Sequence, residues 1–394
     1  MKVKGFLEDV AGASRVTKAR LDAFAGASPL PVTADPIHEV AYAMHPGRIE
    51  LVVTAARGAG GGCRTLRFQA ADGRRLPLFR AGQFMVLDFQ IGGSAVSRPY
   101  SISSPPVKTI GEDSYVEITV RSGDGGGFVS DYICNELKVG DRLTGVVGCG
   151  EFYYEPLRDA KHVVALAGGV GITPFASMAG EVAAGRLNID LTVIYGSNRS
   201  DDIIMAEELA ALEGEHVRFV HVIAGDDPGW QGERGFITAE IIRKYARGDT
   251  TFFACGPQGM YLHLYKEFEK LDVPKRRVRF ELFGPVPDIS VYEGYPAEKK
   301  DETFRLTVCR GIHEDVIPAK ASEPLAVALE RAGIRIETAC RSGECGFCRT
   351  KVLSGDVYVS PVSDGRRAAD KDFGYVHACA AYPLGDVKIK IPIL

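Results

Sequence analysis

The residues of this chain best suited to redox chemistry lie near its end. Cys340, Cys345 and Cys348 fall within one stretch, Cys340-Arg341-Ser342-Gly343-Glu344-Cys345-Gly346-Phe347-Cys348, and Cys379 follows well downstream. The spacing is C-x4-C-x2-C with a distant fourth cysteine. Structural zinc sites usually present two paired knuckles. Three thiols on one loop with a single remote partner instead suit four thiolates closing on a pair of irons. Gly343 and Gly346 would let the loop wrap closely and aim backbone N–H groups at sulfur, and Arg341 and Arg349 would offset negative charge. The other five of the nine cysteines, Cys63, Cys134, Cys149, Cys255 and Cys309, are scattered and read as small buried residues of a reducing compartment.

This cysteine pattern resembles that of the plant-type [2Fe–2S] ferredoxins. The segment Ala321–Leu329 is similar to the helix that precedes the cluster loop in that family. The resemblance extends over residues 303–394 and implies a β-grasp-type α+β domain. It also implies a one-electron carrier with a potential on the order of −400 mV.

Two further motifs could bind a flat, phosphate-bearing cofactor. Arg98-Pro99-Tyr100-Ser101 is expected just after a strand, and Gly127-Phe128-Val129-Ser130 at the opening of a helix. An aromatic plane suits a flat ring, a guanidinium fork suits a phosphate, and a hydroxyl serves a ring nitrogen. The N–H groups of a helix start favour a pyrophosphate. Together the motifs resemble the flavin signatures of the ferredoxin–NADP reductase superfamily. The resemblance implies that Arg98 contacts a flavin phosphate, Tyr100 packs on the isoalloxazine and Ser101 bonds near its reactive nitrogen. The second motif favours FAD over FMN, which has a single phosphate. Cys149 stands in a turn where many relatives have proline, and is taken as structural.

Gly168-Gly169-Val170-Gly171-Ile172-Thr173-Pro174 follows an apolar strand. Its glycines would let the backbone approach a pyrophosphate, with Thr173 as N-cap and Pro174 in the first turn of the next helix. It resembles the nicotinamide-nucleotide turn of the same superfamily. There Cys255-Gly256-Pro257, at the end of a later strand, would flank the hydride path, and Glu281 and Phe283 would border the flavin. Arg199 would pair with a 2′-phosphate, whereas Asp201 and Asp202 would repel one or accept from a 2′-hydroxyl. The balance favours NADH, with NADPH as the alternative.

The elements that must position these residues follow from periodicity. Strands are expected at Ile49–Ala55, Thr65–Ala70, Phe84–Ile91, Tyr115–Ser122 and Asp141–Val147, separated by glycine-rich breaks, which points to a small antiparallel barrel or sandwich, and the flavin resemblance implies the β-barrel. From His162 the pattern alternates strand and helix, the signature of a parallel sheet whose ligands sit beyond the strand C-termini. The expected organisation is a 1–46 extension, a 47–156 flavin barrel, a 157–284 NAD(P)H-binding α/β domain, a 285–302 proline-containing linker and the 303–394 ferredoxin domain. The extension, with a short helix over Ser14–Ala25 broken at Ser28-Pro29-Leu30-Pro31 and Asp35-Pro36, reads as a strap or a partner-docking element.

The 394 residues are 45% hydrophobic and 25% charged with a net charge of −4, which argues against a nucleic-acid partner. No leader peptide and no long apolar run is read, so a cytoplasmic protein is expected. The combined expectation is an iron–sulfur flavoprotein reductase. It would take a hydride from NADH onto FAD and pass electrons singly through the cluster to a protein acceptor, such as an oxygenase. Its rivals are a subunit active only within a larger redox complex, a redox sensor, and a flavin or ferric reductase whose cluster lies off the electron path.

Overall fold

The computed structural model describes residues 5–27, 36–44, 47–123, 127–281, 284, 286 and 288–392. The chain divides into two compact units, Met1–Tyr42 and Ala43–Leu394. In the first, α1 runs over Phe6–Ala25, starting earlier than Ser14, and α2 over Pro36–Met44. Pro36 begins a helix because the first-turn N–H it lacks has no intrahelical acceptor. The break expected at Ser28–Pro31 lies outside the described residues. Val16, Leu21, Phe24, Ile37 and Val40 are exposed on these helices.

The second unit begins with six antiparallel strands: β1 (Ile49–Gly58), β2 (Cys63–Ala70), β3 (Phe84–Ile91), β4 (Ser94–Ser101), β5 (Val116–Arg121) and β6 (Arg142–Cys149). Their order is β4-β3-β6-β1-β2-β5. A bridge between Ile102 and Ile118 joins the two ends of this order and closes the barrel. Inward side chains alternate along the strands and bury Leu51, Leu66, Phe68, Met85, Leu87 and Ile118. Sequence periodicity missed β4, whose Ser-Ala-Val-Ser-Arg-Pro-Tyr-Ser reads as polar. Arg98-Pro99-Tyr100-Ser101 therefore lies within a strand rather than after one. Pro99 is tolerated because β4 ends the hydrogen-bonded order, where a missing N–H donor breaks no second ladder. The hairpin joining β3 to β4 turns at Gly92 and Gly93, both with positive φ, which favours two adjacent glycines. The helix α3 (Phe128–Asn135) follows β5.

The next sheet is parallel throughout, in the order β10-β9-β8-β7-β11-β12. Its strands are β7 (His162–Gly168), β8 (Asp190–Ser197), β9 (Val217–Ile223), β10 (Glu233–Arg234), β11 (Thr250–Cys255) and β12 (Val278–Glu281). They alternate with α4 (Thr173–Ala183), α5 (Ala206–Ala210), α6 (Ala239–Tyr245) and α7 (Gln258–Glu269). Successive strands build outward from β7 through β8 and β9, and the chain then returns to place β11 on the other side. The reversal leaves a crevice beyond the ends of β7 and β11.

The last sheet has the order β14-β13-β19-β15-β17. It is made of β13 (Thr303–Arg310), β14 (His313–Lys320), β15 (Arg349–Ser354), β17 (Tyr375–His377) and β19 (Val387–Lys390). The strands β16 (Val357–Val359) and β18 (Ala381–Pro383) pair separately, and α9 covers Ala368–Asp372. The helix α8 (Leu325–Arg331) buries Leu325, Ala326, Ala328 and Leu329 against Leu306, Val308 and Ile389 of the sheet. The parallel pair β13–β19 under one helix gives the grasp its topology. The segment before it is no free tether. Ile289 and Tyr295 are buried against Tyr358 and Tyr382, and the Tyr358 hydroxyl donates to the Glu293 carbonyl at 2.7 Å. Among the described residues no helix is long and apolar enough to cross a membrane.

Barrel and parallel sheet interlock at Gly82. Its φ is +101°, and a Cβ there would fall 2.0 Å from the Phe152 carbonyl oxygen and 2.5 Å from Met178 Cε of α4. Phe152 in turn packs edge-on to Phe253, with ring centroids 5.1 Å apart. Gly82→Ala combines overpacking with a left-handed backbone, and is expected to lower stability by about 3 kcal/mol in urea unfolding. An unchanged midpoint would show that the two domains do not meet this closely.

Candidate functional site

The cluster loop begins where α8 ends and returns into β15. Cys340, Cys348 and Cys379 are buried, Cys345 is exposed, and all nine cysteines are free thiols. The N–H groups of Ser342 and Cys345 each donate to Cys340 Sγ at 3.4 Å. Hydrogen bonds from Cys345 and Cys379 hold the Cys340 thiol well below its ordinary range, and one from Cys379 does the same for Cys348. The four sulfurs thus neighbour one another in a chain, Cys345 beside Cys340, Cys340 beside Cys379 and Cys379 beside Cys348. Among the described residues no three His, Cys, Asp or Glu side chains surround a single ion. Four thiols gathered in one place are the donor set a two-iron centre requires. Gly343 has a φ of +86° and no room for a side chain, since a Cβ would lie 2.2 Å from the Ser363 carbonyl oxygen. Arg341 is buried and bonds both oxygens of Glu330, at 2.6 and 3.0 Å. Arg349 does not face the sulfurs as expected: it pairs with Asp370 and lies over the Tyr375 ring, 3.7 Å from its centroid.

This loop is packed directly on the barrel. Cys340 and Ala339 form one apolar cluster with Phe84 and Val86 of β3, and Cys149 joins it. Phe84 pairs across the sheet with Ser101, Val86 with Pro99 and Leu87 with Arg98. One cross-strand step therefore separates the flavin motif from the residues touching Cys340. Arg98 and Tyr100 share one face of β4, and Pro99 and Ser101 the other. Burial raises the Tyr100 phenol above its usual range. Arg98 spends its two Nη atoms on Glu330 of α8, at 3.1 and 3.2 Å, and its Nε–H has no acceptor among the described residues.

At α3, Asp131 accepts from the N–H groups of Gly123 and Gly127, at 2.7 and 3.1 Å. Those two donors are therefore spent on the loop itself. The N–H groups of Phe128, Val129 and Ser130 in the first turn remain available to an anion. A Cβ at Gly127 would lie 2.1 Å from Ser130 Oγ, which would have to turn away, and 3.1 Å from Gly123 Cα.

The crevice beyond β7 and β11 is a cavity of about 520 Å³ lined by Gly168, Gly169, Ser197, Asp202, Pro257 and Met260, among others. Gly171 presses on the end of β11: a Cβ would fall 2.2 Å from the Cys255 carbonyl oxygen. Thr173 is not the N-cap. A 3-10 turn over Gly169–Ile172 runs straight into α4, Thr173 is already helical, and its hydroxyl donates to the Val170 carbonyl at 3.0 Å. Pro174 follows in the first helical turn, where its lack of an N–H breaks no helical bond. Cys255 pairs in register with Glu281 of β12, and Gly256 continues the turn. Burial pushes the Cys255 thiol up, with the neighbouring Glu281 adding to it, so it stays neutral. Burial likewise raises Glu281 well above the carboxylate range, followed by Glu344 and Cys340 of the cluster loop, and its Oε2 has no partner among the described residues. Tyr261 ties the two strands by accepting from the Gly256 N–H at 3.0 Å and donating to the Glu281 carbonyl. Phe283 lies outside the described residues.

The structure also separates residues that the sequence grouped. Arg199 turns away from the cavity to Asp201, at 3.0 Å, and to the Asp226 carbonyl, while Asp202 lines the wall. A cation the sequence reading missed takes its place. Arg121, the last residue of β5, enters the cavity from the barrel and is anchored by Nε to the Gly61 carbonyl at 3.0 Å. The only signal for it was a basic residue closing a strand before the glycine-rich loop, and its role depends on a domain contact that local spacing does not encode.

These sites fit the groups that known proteins bind in the same arrangement. Residues 50–154 match the model of the oxidoreductase FAD-binding domain, 165–265 the oxidoreductase NAD-binding domain, and 312–384 the 2Fe-2S iron-sulfur cluster binding domain. The chain is 30% identical to NADH oxidoreductase HCR of Escherichia coli, over 78% of this chain and 88% of that protein. It is also 30% identical to the glycine betaine monooxygenase reductase subunit of Pseudomonas aeruginosa, over 83% of this chain and 90% of that one. The fold matches phthalate dioxygenase reductase with a TM-score of 0.61 at 21% identity, covering 88% of this chain and 98% of that chain. The chain belongs to the ferredoxin–NADP reductase superfamily of flavoproteins, among the members that carry a C-terminal plant-type [2Fe–2S] ferredoxin domain.

Proposed function

We propose that this protein is the NADH-oxidising reductase of an oxygenase system, working in the cytoplasm and delivering single electrons to a separate oxygenase component. The observation that carries the reading is the packing of Cys340 on Phe84 of the barrel, which sets the cysteine loop on the strand that pairs with Arg98-Pro99-Tyr100-Ser101. The names of relatives support the acceptor class, since several are reductase subunits of monooxygenases. The free thiols support a reducing compartment. We divide the chain as 1–46, 47–156, 157–284, 285–302 and 303–394, one function to each folded part beyond the extension.

Bound FAD converts a two-electron hydride into single electrons, and a bound [2Fe–2S] cluster carries them one at a time. The protein's own residues bind, orient and exclude water. Arg98 offers the free edge of its guanidinium to a flavin phosphate, and the first turn of α3, Phe128 to Ser130, offers N–H groups to a pyrophosphate. Tyr100 would pack against a flavin ring bound at the end of β4, and Ser101, on the other face of that strand end, would offer its hydroxyl to the ring edge. Gly169 and Gly171 bring the backbone of the turn close to the nicotinamide nucleotide. Arg121 meets its phosphates, and Asp202 accepts from the ribose hydroxyl that a 2′-phosphate would block. Cys255, Gly256 and Pro257 form the floor beside the nicotinamide. A neutral Cys255 and a protonated Glu281 keep charge away from the hydride path. Cys340, Cys345, Cys348 and Cys379 hold the irons.

Purified protein is expected to contain FAD and iron and to bleach at both chromophores under anaerobic NADH. Cys345→Ser is expected to keep NADH-dependent flavin bleaching and to lose most cytochrome c reduction. Full one-electron reduction by that variant would mean that electrons leave from the flavin. Arg121→Ala is expected to raise KM for NADH by about tenfold, the equivalent of about 1.4 kcal/mol, with little change in kcat. An unchanged KM would remove Arg121 from the nucleotide site. With Asp202 on the wall and Arg199 turned away, kcat/KM for NADH should exceed that for NADPH by at least about tenfold. The reverse order would refute the assignment of Asp202.

A further inference from the structure

Arg98 of β4 and Arg341 of the cluster loop grip one carboxylate from opposite sides. Glu330, near the end of α8, receives Arg98 at 3.1 and 3.2 Å and Arg341 at 2.6 and 3.0 Å, two bonds from each guanidinium. The side chains of Glu330 and Arg341 are 8% and 1% exposed, so water cannot substitute for the contacts. Breaking such a group by removing its shared partner leaves two like charges facing each other in a poorly solvated place. The trio of two guanidinium groups and one carboxylate carries one net positive charge.

We propose that Glu330 is a positioning residue for electron transfer: it latches the ferredoxin domain to the flavin strand and fixes the distance between the two carriers. It touches neither carrier. Its grip on Arg341 sets the main chain beside Cys340, where Arg341 sits at a φ of +57°, a conformation an arginine rarely adopts unsupported. Its grip on Arg98 ties that same loop to the strand bearing the flavin motif. The apolar contact of Cys340 with Phe84 and Val86 is non-directional and allows sliding. Two fork-to-carboxylate pairs do not, because each fixes a plane as well as a distance. The proposal rests on the flavin assignment of Arg98 given above.

The test uses the full-length, cofactor-loaded protein and Glu330→Gln, which keeps the shape and removes the charge. Flavin bleaching by NADH in anaerobic stopped flow should stay within about twofold of wild type, and cluster bleaching should slow by about tenfold or more. The cluster's visible circular dichroism should persist, separating a misplaced cluster from a lost one. Small-angle X-ray scattering should show a more extended particle. Glu330→Asp, with the charge kept but the reach shortened, should slow the step to an intermediate degree. It also decides the matter should Glu330→Gln fail to hold its cluster. Cluster bleaching within about twofold of wild type in the cluster-retaining variant would overturn the latch. Wild-type protein that binds no flavin would instead refute the reading of Arg98, while the scattering comparison would still judge the latch.

Discussion

Electron transfer through protein weakens steeply with distance, so a chain that carries both a flavin and an iron–sulfur site must hold the two loops against each other. The contact of Cys340 with Phe84 and Val86 is where this protein does so. The rest of its architecture converges there. The barrel supplies β3 as a rigid wall and β4 as the strand bearing the flavin motif. The parallel sheet brings Cys255 and Glu281 to the ends of adjacent strands, close enough to the cluster loop that Glu344 and Cys340 act on the Glu281 carboxyl. The ferredoxin domain ends α8 beside that wall, with Glu330 between two arginines.

The division of labour follows from burial. The cavity beyond β7 and β11 is lined by residues of the parallel-sheet domain and by Arg121 of the barrel, so nucleotide binding depends on both domains together. Deep burial keeps Cys255 and Glu281 uncharged, which suits a site where a hydride passes between two flat rings. Around the sulfurs the logic inverts. Neighbouring thiols, and backbone N–H groups after them, lower Cys340 and Cys348, while their donors Cys345 and Cys379 are raised, so the four sulfurs share their protons as one group.

Much of this was legible in the sequence, and the exceptions have physical causes. The cysteine spacing pointed to the cluster because four ligands on two irons leave few alternatives. The glycines at 171 and 343 marked places where the backbone comes within a side chain's width of another element. The strand β4 was missed because its outward residues and Pro99 hide its period. Thr173 was read as an N-cap because threonine before proline usually is one, but a 3-10 turn had already begun the helix. Arg121 and Glu330 were not singled out, since each matters only through a contact between domains. Arg199 pairs with its neighbour Asp201 instead of lining the cavity, a contact that the spacing of the motif does not reveal.

The central claim is spatial, so the most direct measurement is a crystal structure of the full chain with both cofactors bound, with iron located by anomalous scattering. The account expects two iron peaks among the sulfurs of Cys340, Cys345, Cys348 and Cys379, separated from the isoalloxazine by little more than the Phe84–Cys340 contact. Iron found in that loop but parted from the flavin by solvent or by the parallel-sheet domain would contradict it.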